Sequence, residues 1–275
     1  MFVSKEQAKR RLLALERRFK IDKGCKEEYV KFMNDYENEE HMSLISEKES
    51  PTEVCWLPHQ AVYRTDSLTT KIKVVFDASS KTSNGNTLND KLRIGPNLQN
   101  DLFDILIRFR AHQFVFSADI EAMYRQIQVK EEDRHLQRIL WREEPEQNLK
   151  AYVLNTVTYG TASAPFLAIK CLRELAQQEV TSPEAANVVR NDFYMDDVLS
   201  GASTKEEATK LREEVTELLK KGQFHLRKWR TNSTRILSDI GGEEDNDRFL
   251  KLEKKGALKV LGILWEATTD TSIFY

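Results

Sequence analysis

The 275-residue sequence predicts an α+β fold: a split βαβ sheet with one carboxylate at a strand end and an acidic pair on a hairpin. Three observations predict it. Short β-rich runs alternate with amphipathic helical runs in the order strand, helix, strand, helix, hairpin, helix, strand, which is too antiparallel for a doubly wound sheet. Hydrophobic residues make up 40% of the chain, enough for one or two cored domains and too many for wholesale disorder. No segment recurs at a repeat-sized period.

Residues 1 to about 50 read as two charged helices, "KEQAKRRLLALERRFK" and "KEEYVKFMNDYENEE", followed by the polar linker "SEKESPTE". Their charge places them at the periphery. From Cys55 the pattern turns to β-rich runs, "VCWLPHQAVY" and "TTKIKVVFDAS", and "KTSNGNTLND" supplies turn residues. Leu98, Leu102, Phe103, Leu106 and Ile107 then fall at helical spacing, with Asn97 as the expected cap. The apolar strand "HQFVFSADI" ends in Asp119 and Ile120, and "EAMYRQIQV" and "HLQRILWRE" give a short turn or helix and another strand. "AYVLNTVTYG" runs into the helix "ASAPFLAIKCLRELAQQE", and "VVRNDFYMDDVLSGAS" reads as apolar, turn, apolar. A long helix opens at Thr204 and stops at Gly222, with Leu211, Val215, Leu218 and Leu219 on one face. The strands "QFHLRKWR" and "LKVLGILWE" complete the series.

Charge and cysteine content exclude several classes. Cys25, Cys55 and Cys171 are odd in number and widely separated, which argues against a disulfide framework and a thiolate zinc site; His41 and His59 around Cys55 match no common ligand spacing. The basic helix at the start lacks the apolar core of a secretion signal, and no apolar run is long enough to span a bilayer. No membrane partner and a cytoplasmic location are therefore expected. The 42 Lys and Arg balance 44 Asp and Glu, so any nucleic-acid contact must come from a local basic groove. Lys71, Lys73, Lys81, Arg108, Arg110, Arg227, Lys228 and Arg230 are the candidates for it.

Taken singly, Asp119 reads as a helix cap and Asp196 with Asp197 as ordinary turn residues. Adjacent strands would bring all three together. Two unit charges about 4 Å apart repel by about 4 kcal/mol at an effective dielectric of 20. Three such pairs approach about 12 kcal/mol, comparable with the whole stability of a domain. Such a cluster needs cations, protons or distance, and hard oxygen donors without nearby thiolate or imidazole suit Mg2+ or Mn2+. Two such ions serve in-line displacement at phosphorus.

The blocks "FSADIEAMY", "TYGTASAPF", "FYMDD", "LRKW" and "KVLGILW" follow one another in the order of the blocks of retroelement reverse transcriptases, which the sequence from about residue 50 to 275 resembles. The wording "WLPHQAVYR", "TTKIKVVFDASSKT" and "GPNLQNDL" is similar to the BEL/Pao group of long-terminal-repeat retrotransposons. The resemblance implies a polymerase right hand: fingers over 51–112 and again near 125–158, and a palm over 113–275 with its helices on one face of the sheet. The thumb is expected to be absent or incomplete, and 1–50 to be a helical segment and linker. It implies that Asp119 and Asp196 hold two Mg2+ ions, with Asp197 as the third acidic residue. Tyr124 would be the aromatic gate beneath the incoming sugar, and Lys73, with Lys71 nearby, would contact the triphosphate. Lys73 stands where relatives usually carry Arg, so a point charge replaces a bidentate fork. Gly160 and the small residues after it would let the nucleotide approach the backbone; Tyr159 stands where many retroviral enzymes have Gln. Lys228, or equally Arg227, would lie near the pyrophosphate leaving group, and Leu261, Gly262 and Trp265 resemble the primer-gripping hairpin.

The implied activity is RNA-directed DNA polymerisation. Its partners would be an RNA or DNA template-primer, deoxynucleoside triphosphates and the other Pol domains (thumb, ribonuclease H, integrase), with virus-like particles as a setting. The rivals are a catalytically silent nucleic-acid-binding remnant and a two-metal nuclease, the latter leaving Tyr124, Lys73 and the Gly160 block without a role.

Overall fold

A computed structural model describes residues 4–45, 51, 53–63, 72–237, 258–260, 263–266 and 271–274. In chain order the elements are α1 (Lys5–Ile21), α2 (Lys23–Asn38), β1 (Met42–Leu44), β2 (His59–Tyr63), β3 (Ile72–Phe76), α3 (Leu102–Ala111) and β4 (Phe114–Ile120). Then follow β5 (Arg138–Trp141), β6 (Lys150–Leu154), α4 (Ala164–Gln178), α5 (Pro183–Asn191), β7 (Phe193–Tyr194), β8 (Asp197–Ala202) and α6 (Lys205–Lys221). The chain continues into β9 (Leu226–Thr231), β10 (Leu258–Val260), β11 (Ile263–Glu266) and β12 (Thr271–Phe274). They form two units, Met1–Pro96 with Tyr124–Leu167, and Asn97–Met123 with Ala168–Tyr275.

In the first unit the helices expected at the periphery are part of the core. Ala8, Leu12, Leu15 and Phe19 of α1, and Cys25, Tyr29, Met33 and Tyr36 of α2, are buried in one cluster with Leu57, Val74, Phe76, Ile139, Tyr152 and Leu154. Their spacing of three and four residues makes a narrow apolar stripe on each helix, which the charged majority of the sequence conceals. Asp22 caps α2 by accepting from the Cys25 amide at 2.9 Å. The buried Glu16 carboxylate receives Nε and Nη2 of Arg142 at 2.7 and 3.0 Å, a forked pair that ties α1 to the end of β5. His59 has both ring nitrogens engaged, by the Tyr29 hydroxyl at 2.5 Å and the Leu140 carbonyl at 2.8 Å; burial holds its pKa down to about 4, so it is neutral. β2 pairs with β3, and β1, β6 and β5 form a second antiparallel sheet. Met33→Ala, at a fully buried position, is expected to cost about 2–3 kcal/mol in urea unfolding. A loss under about 0.5 kcal/mol would show that α2 is not part of this core.

The second unit is built on the sheet β7-β8-β4-β9. β8 and β9 both run antiparallel to β4, hence parallel to each other, and α6 is the crossover between them. This is the split βαβ arrangement expected from the sequence. Thr204 and Glu207 close a capping box on α6, so this helix starts where its side chains dictate. Val115 to Ala118 are buried without alternation, as in a strand covered on both faces. Gly201 of β8 pairs with Val115, and a Cβ there would lie 2.3 Å from the Phe114 carbonyl oxygen.

Three local readings are corrected. α3 is capped by Asp101, which accepts from the Phe103 amide at 2.9 Å, whereas Asn97 bonds the Gln99 amide. α3 buries Ile105 and Phe109 and leaves Phe103 and Ile107 68% and 54% exposed, because "LFDILIRF" is apolar on both faces and packing selects one. "LKVLGILWE" is not one strand: β10 and β11 form an antiparallel pair extended by β12 into a separate three-stranded sheet.

Candidate active site

The centre strand β4 aligns the acidic residues. Asp119 is opposite Asp197 on one side and Arg227 on the other. A two-residue turn, Met195 and Asp196, joins β7 to β8, with Met195 at φ 57°. Two hydrogen bonds fix that turn: the Ile120 amide donates to the Asp196 carbonyl at 2.7 Å, and the Met195 amide donates to Gln99 Oε1 at 3.2 Å. All three aspartates are thereby held at one end of the sheet by backbone register.

β9 supplies the countercharge. Between the pairs Ser117–Arg230 and Asp119–Arg227 it has one residue more than β4, a bulge in which Lys228 takes φ 53°. Lys228 Nζ donates to Asp119 Oδ2 at 2.7 Å. Arg227 Nε lies 3.4 Å from Asp119 Oδ1, and Nη1 donates to Glu121 Oε1 at 2.9 Å. Asp119 Oδ1, Arg227 Nε and Arg230 Nε are nonetheless buried without a hydrogen-bond partner. Burial, then the charges of Asp196 and Asp119, push the Asp197 carboxyl up to about 6. Asp196 is exposed as a residue, yet desolvation, then the Asp119 charge, raises its pKa too. Burial lowers the pKa of Arg230. Between about pH 4 and 6 the folded chain keeps a proton on Asp197 that the unfolded chain releases, so stability in chelator is expected to fall as pH rises through this window. Asp197→Asn should flatten that slope in denaturant titrations; an unchanged slope would place the titrating group elsewhere.

Residues 65–263 match the family model described as reverse transcriptase (RNA-dependent DNA polymerase). The chain belongs to the reverse transcriptase family. Among solved structures it is similar to the foamy viral protease-reverse transcriptase in complex with dsDNA, at 16% identity and a TM-score of 0.54 over 74% of this chain and 36% of that one. It is also similar to a mutant of the Prototype Foamy Virus protease-reverse transcriptase, at 14% and 0.55 over 74% and 23%. The foamy viral enzyme in complex with an RNA/DNA hybrid gives 14% and 0.52 over 70% and 22%. The chain thus spans between about a fifth and somewhat over a third of the length of these proteins. No match was found among curated proteins. At these identities the likeness shows the fold, the fingers and palm of a reverse transcriptase.

In this reverse transcriptase-family chain no three His, Cys, Asp or Glu side chains among the described residues form a ready metal cage. The strand register that sets Asp119 beside Asp197 is in place, and Lys228 neutralises Asp119. The site's hard carboxylate donors, the unbonded Asp119 Oδ1 and the raised Asp197 carboxyl fit a divalent cation. Lys228, expected near a leaving group, contacts Asp119, and Arg108, expected to face a template, pairs with the buried Asp192 at 3.0 Å.

Other expected residues lie in the first unit. Lys73 Nζ stands 4.5 Å from the ring centroid of Tyr159, whose hydroxyl donates to the Val74 carbonyl, so Tyr159 is engaged within the protein. Gly160 has φ 95°, and its carbonyl accepts from Asn89 Nδ2 at 3.0 Å while Asn89 Oδ1 accepts from the Ala162 amide at 2.8 Å. Tyr124 is half-buried in the short 3-10 turn Met123–Gln126. Lys71, Leu261 and Gly262 lie outside the described residues; Trp265 is in β11, opposite Leu258 and Ser272. Sequence reading missed Gln99, Asn89 and Asp192, the last of which also accepts from Ser200 Oγ at 2.8 Å. Only the polar character of these loop residues could have marked them.

Proposed function

We propose that this chain is the fingers-and-palm part of an RNA-directed DNA polymerase from a BEL/Pao-type retrotransposon Pol protein, working in the cytoplasm within virus-like particles. The observation that carries the polymerase reading is the register of Asp119 against Asp197, with Asp196 on the turn bonded to Ile120, inside a reverse transcriptase family match. The BEL/Pao assignment rests on "WLPHQAVYR" and "TTKIKVVFDASSKT". Foamy viral relatives solved with dsDNA and an RNA/DNA hybrid support a template-primer as partner.

Asp119, Asp196 and Asp197 would hold Mg2+ or Mn2+. When bound, two such ions supply an activated primer 3'-hydroxyl and charge neutralisation on the phosphates. The chain's own groups do the rest. Lys228 and Arg227 hold the Asp119 carboxylate in orientation until nucleotide arrives, and Lys228 then has a proton for the pyrophosphate leaving oxygen. Tyr124 closes the sugar pocket against a 2'-hydroxyl, and Lys73 binds the triphosphate. Gly160 presents bare backbone; a Cβ there would also lie 3.0 Å from the Phe76 carbonyl oxygen.

The test is primer extension on an RNA template with Mg2+ or Mn2+, and with Asp196→Asn protein as control. Incorporation that requires the metal and is absent in the control is expected. Template-primer binding without incorporation in either metal would instead identify a silent binding remnant, and metal-dependent nicking without deoxynucleotides would identify a nuclease.

A further inference from the structure

Helix α2 precedes the residues that match the family model, yet it grips the turn that carries Tyr124. The Arg125 guanidinium carbon lies 5.3 Å from the Phe32 ring centroid and 5.2 Å from that of Tyr36, both on α2. Its Nη1 is 3.9 Å from Glu39 Oε2, and the same oxygen is 3.1 Å from His41 Nε2, whose ring lies 5.0 Å from that of Tyr36. A second attachment comes from downstream. The Ile127 amide closes the turn on the Tyr124 carbonyl at 3.3 Å, and the segment continues by pairing with residues 155–157: the Val129 amide donates to the Asn155 carbonyl and the Val157 amide to the Ile127 carbonyl, each at 2.8 Å. Asn155 in turn donates through Nδ2 to the Glu40 carbonyl and through its amide to the His41 carbonyl, each at 2.8 Å, and accepts from Ser43 Oγ at 3.0 Å. The turn is thus fixed to α2 and its exit on both sides.

We propose that Arg125 is a positioning residue that sets the height of the Tyr124 ring, so that α2, through Phe32, Tyr36 and Glu39, tunes the choice of deoxyribonucleotides over ribonucleotides. The inference rests on the polymerase reading for its functional consequence. A planar guanidinium stacks on two rings at once and reaches Glu39, which an ammonium cannot do with the same geometry. Its neighbour in sequence is therefore held against rotation of the turn, and a gate that excludes a single hydroxyl depends on that height.

The experiment uses the whole chain. In single-nucleotide insertion, Arg125→Ala is expected to raise the KM for deoxynucleotide and to lower the deoxy-over-ribo preference by roughly five- to thirtyfold, the range of two cation–π contacts, with kcat nearly held. Arg125→Lys should recover only part of the preference. An unchanged preference in folded Arg125→Ala protein, or a fall confined to kcat, would overturn the proposal. Position is read separately by 19F NMR of protein labelled with 3-fluorotyrosine, with the Tyr124 line assigned by Tyr124→Phe. Arg125→Ala should shift or broaden that line, and an unmoved line would overturn the proposal even in a protein that incorporates nothing. If the wild-type chain extends no primer but the line moves, the polymerase reading fails and the positioning role stands.

Discussion

Asp119→Asn is expected to abolish nucleotide incorporation, by at least about 10³-fold, while the protein stays folded. The substitution is nearly isosteric and removes one charge from a side chain that is 14% exposed. What it leaves behind is tolerable: Arg227 keeps Glu121 at 2.9 Å, and Lys228, 43% exposed, turns to water. What it removes is the negative charge: a cation meets one neutral amide oxygen in place of a carboxylate whose buried Oδ1 has no hydrogen-bond partner. On the proposed two-ion reading, loss of one ligand forfeits several kcal/mol of charge stabilisation in the transition state, and about 4 kcal/mol is about 10³ in rate. Gel-resolved single-nucleotide incorporation measures the loss, and urea unfolding reports the fold. Activity within tenfold of wild type in a folded Asp119→Asn protein would remove Asp119 from the reaction.

Gly201→Ala should be the most damaging single methyl group that can be added to the central sheet. The new Cβ would lie 2.3 Å from the Phe114 carbonyl oxygen, 2.9 Å from His112 Cβ and 3.0 Å from Val115 Cα. Two of the three atoms are backbone of the strand and its lead-in, so no side-chain rotation relieves the clash. β4 and β8 would have to separate, at a cost of about 3–5 kcal/mol. For a chain of this size that corresponds to a fall in Tm of about 10 °C or more. Because Asp119 and Asp197 are paired along these same two strands, incorporation should fall with the sheet even below the unfolding transition. A Tm within about 2 °C of wild type would show that the strands accommodate the methyl group.

How much of this was legible depended on whether the signal was periodic. The long helix α6 carries both its apolar face and its Thr204 capping box in the sequence, and Asp119 stands out because it ends an apolar strand. Helix α5 was hidden: Val188 and Val189 look like the start of a strand, yet Pro183 at the first turn and buried Ala185 and Ala186 make nine residues helical before β7. The stripe on α1 and α2 was masked by surrounding charge, and only burial against Val74 and Ile139 reveals it. In the site, the alignment of Asp119 with Asp197 could be anticipated from strand and hairpin. Lys228 on Asp119 could not, because it follows from one extra residue in β9 that has no sequence period. Contacts of Gln99 and Asn89 belong to the same class: they link loop residues to positions about 70 or more residues away, and polarity alone cannot say which partner is chosen.

The two units interleave along the chain, the first being completed by Tyr124–Leu167 and the second by Ala168–Tyr275. During synthesis β4 therefore leaves the ribosome well before β8 and β9, its sheet partners among the described residues. For that interval its buried run Val115–Ala118 and both strand edges are open, and long-range pairing of this kind is slow and exposed to aggregation. Chains truncated before β9 should therefore collect in the insoluble fraction, and chaperone dependence should be relieved only once residue 231 has been made.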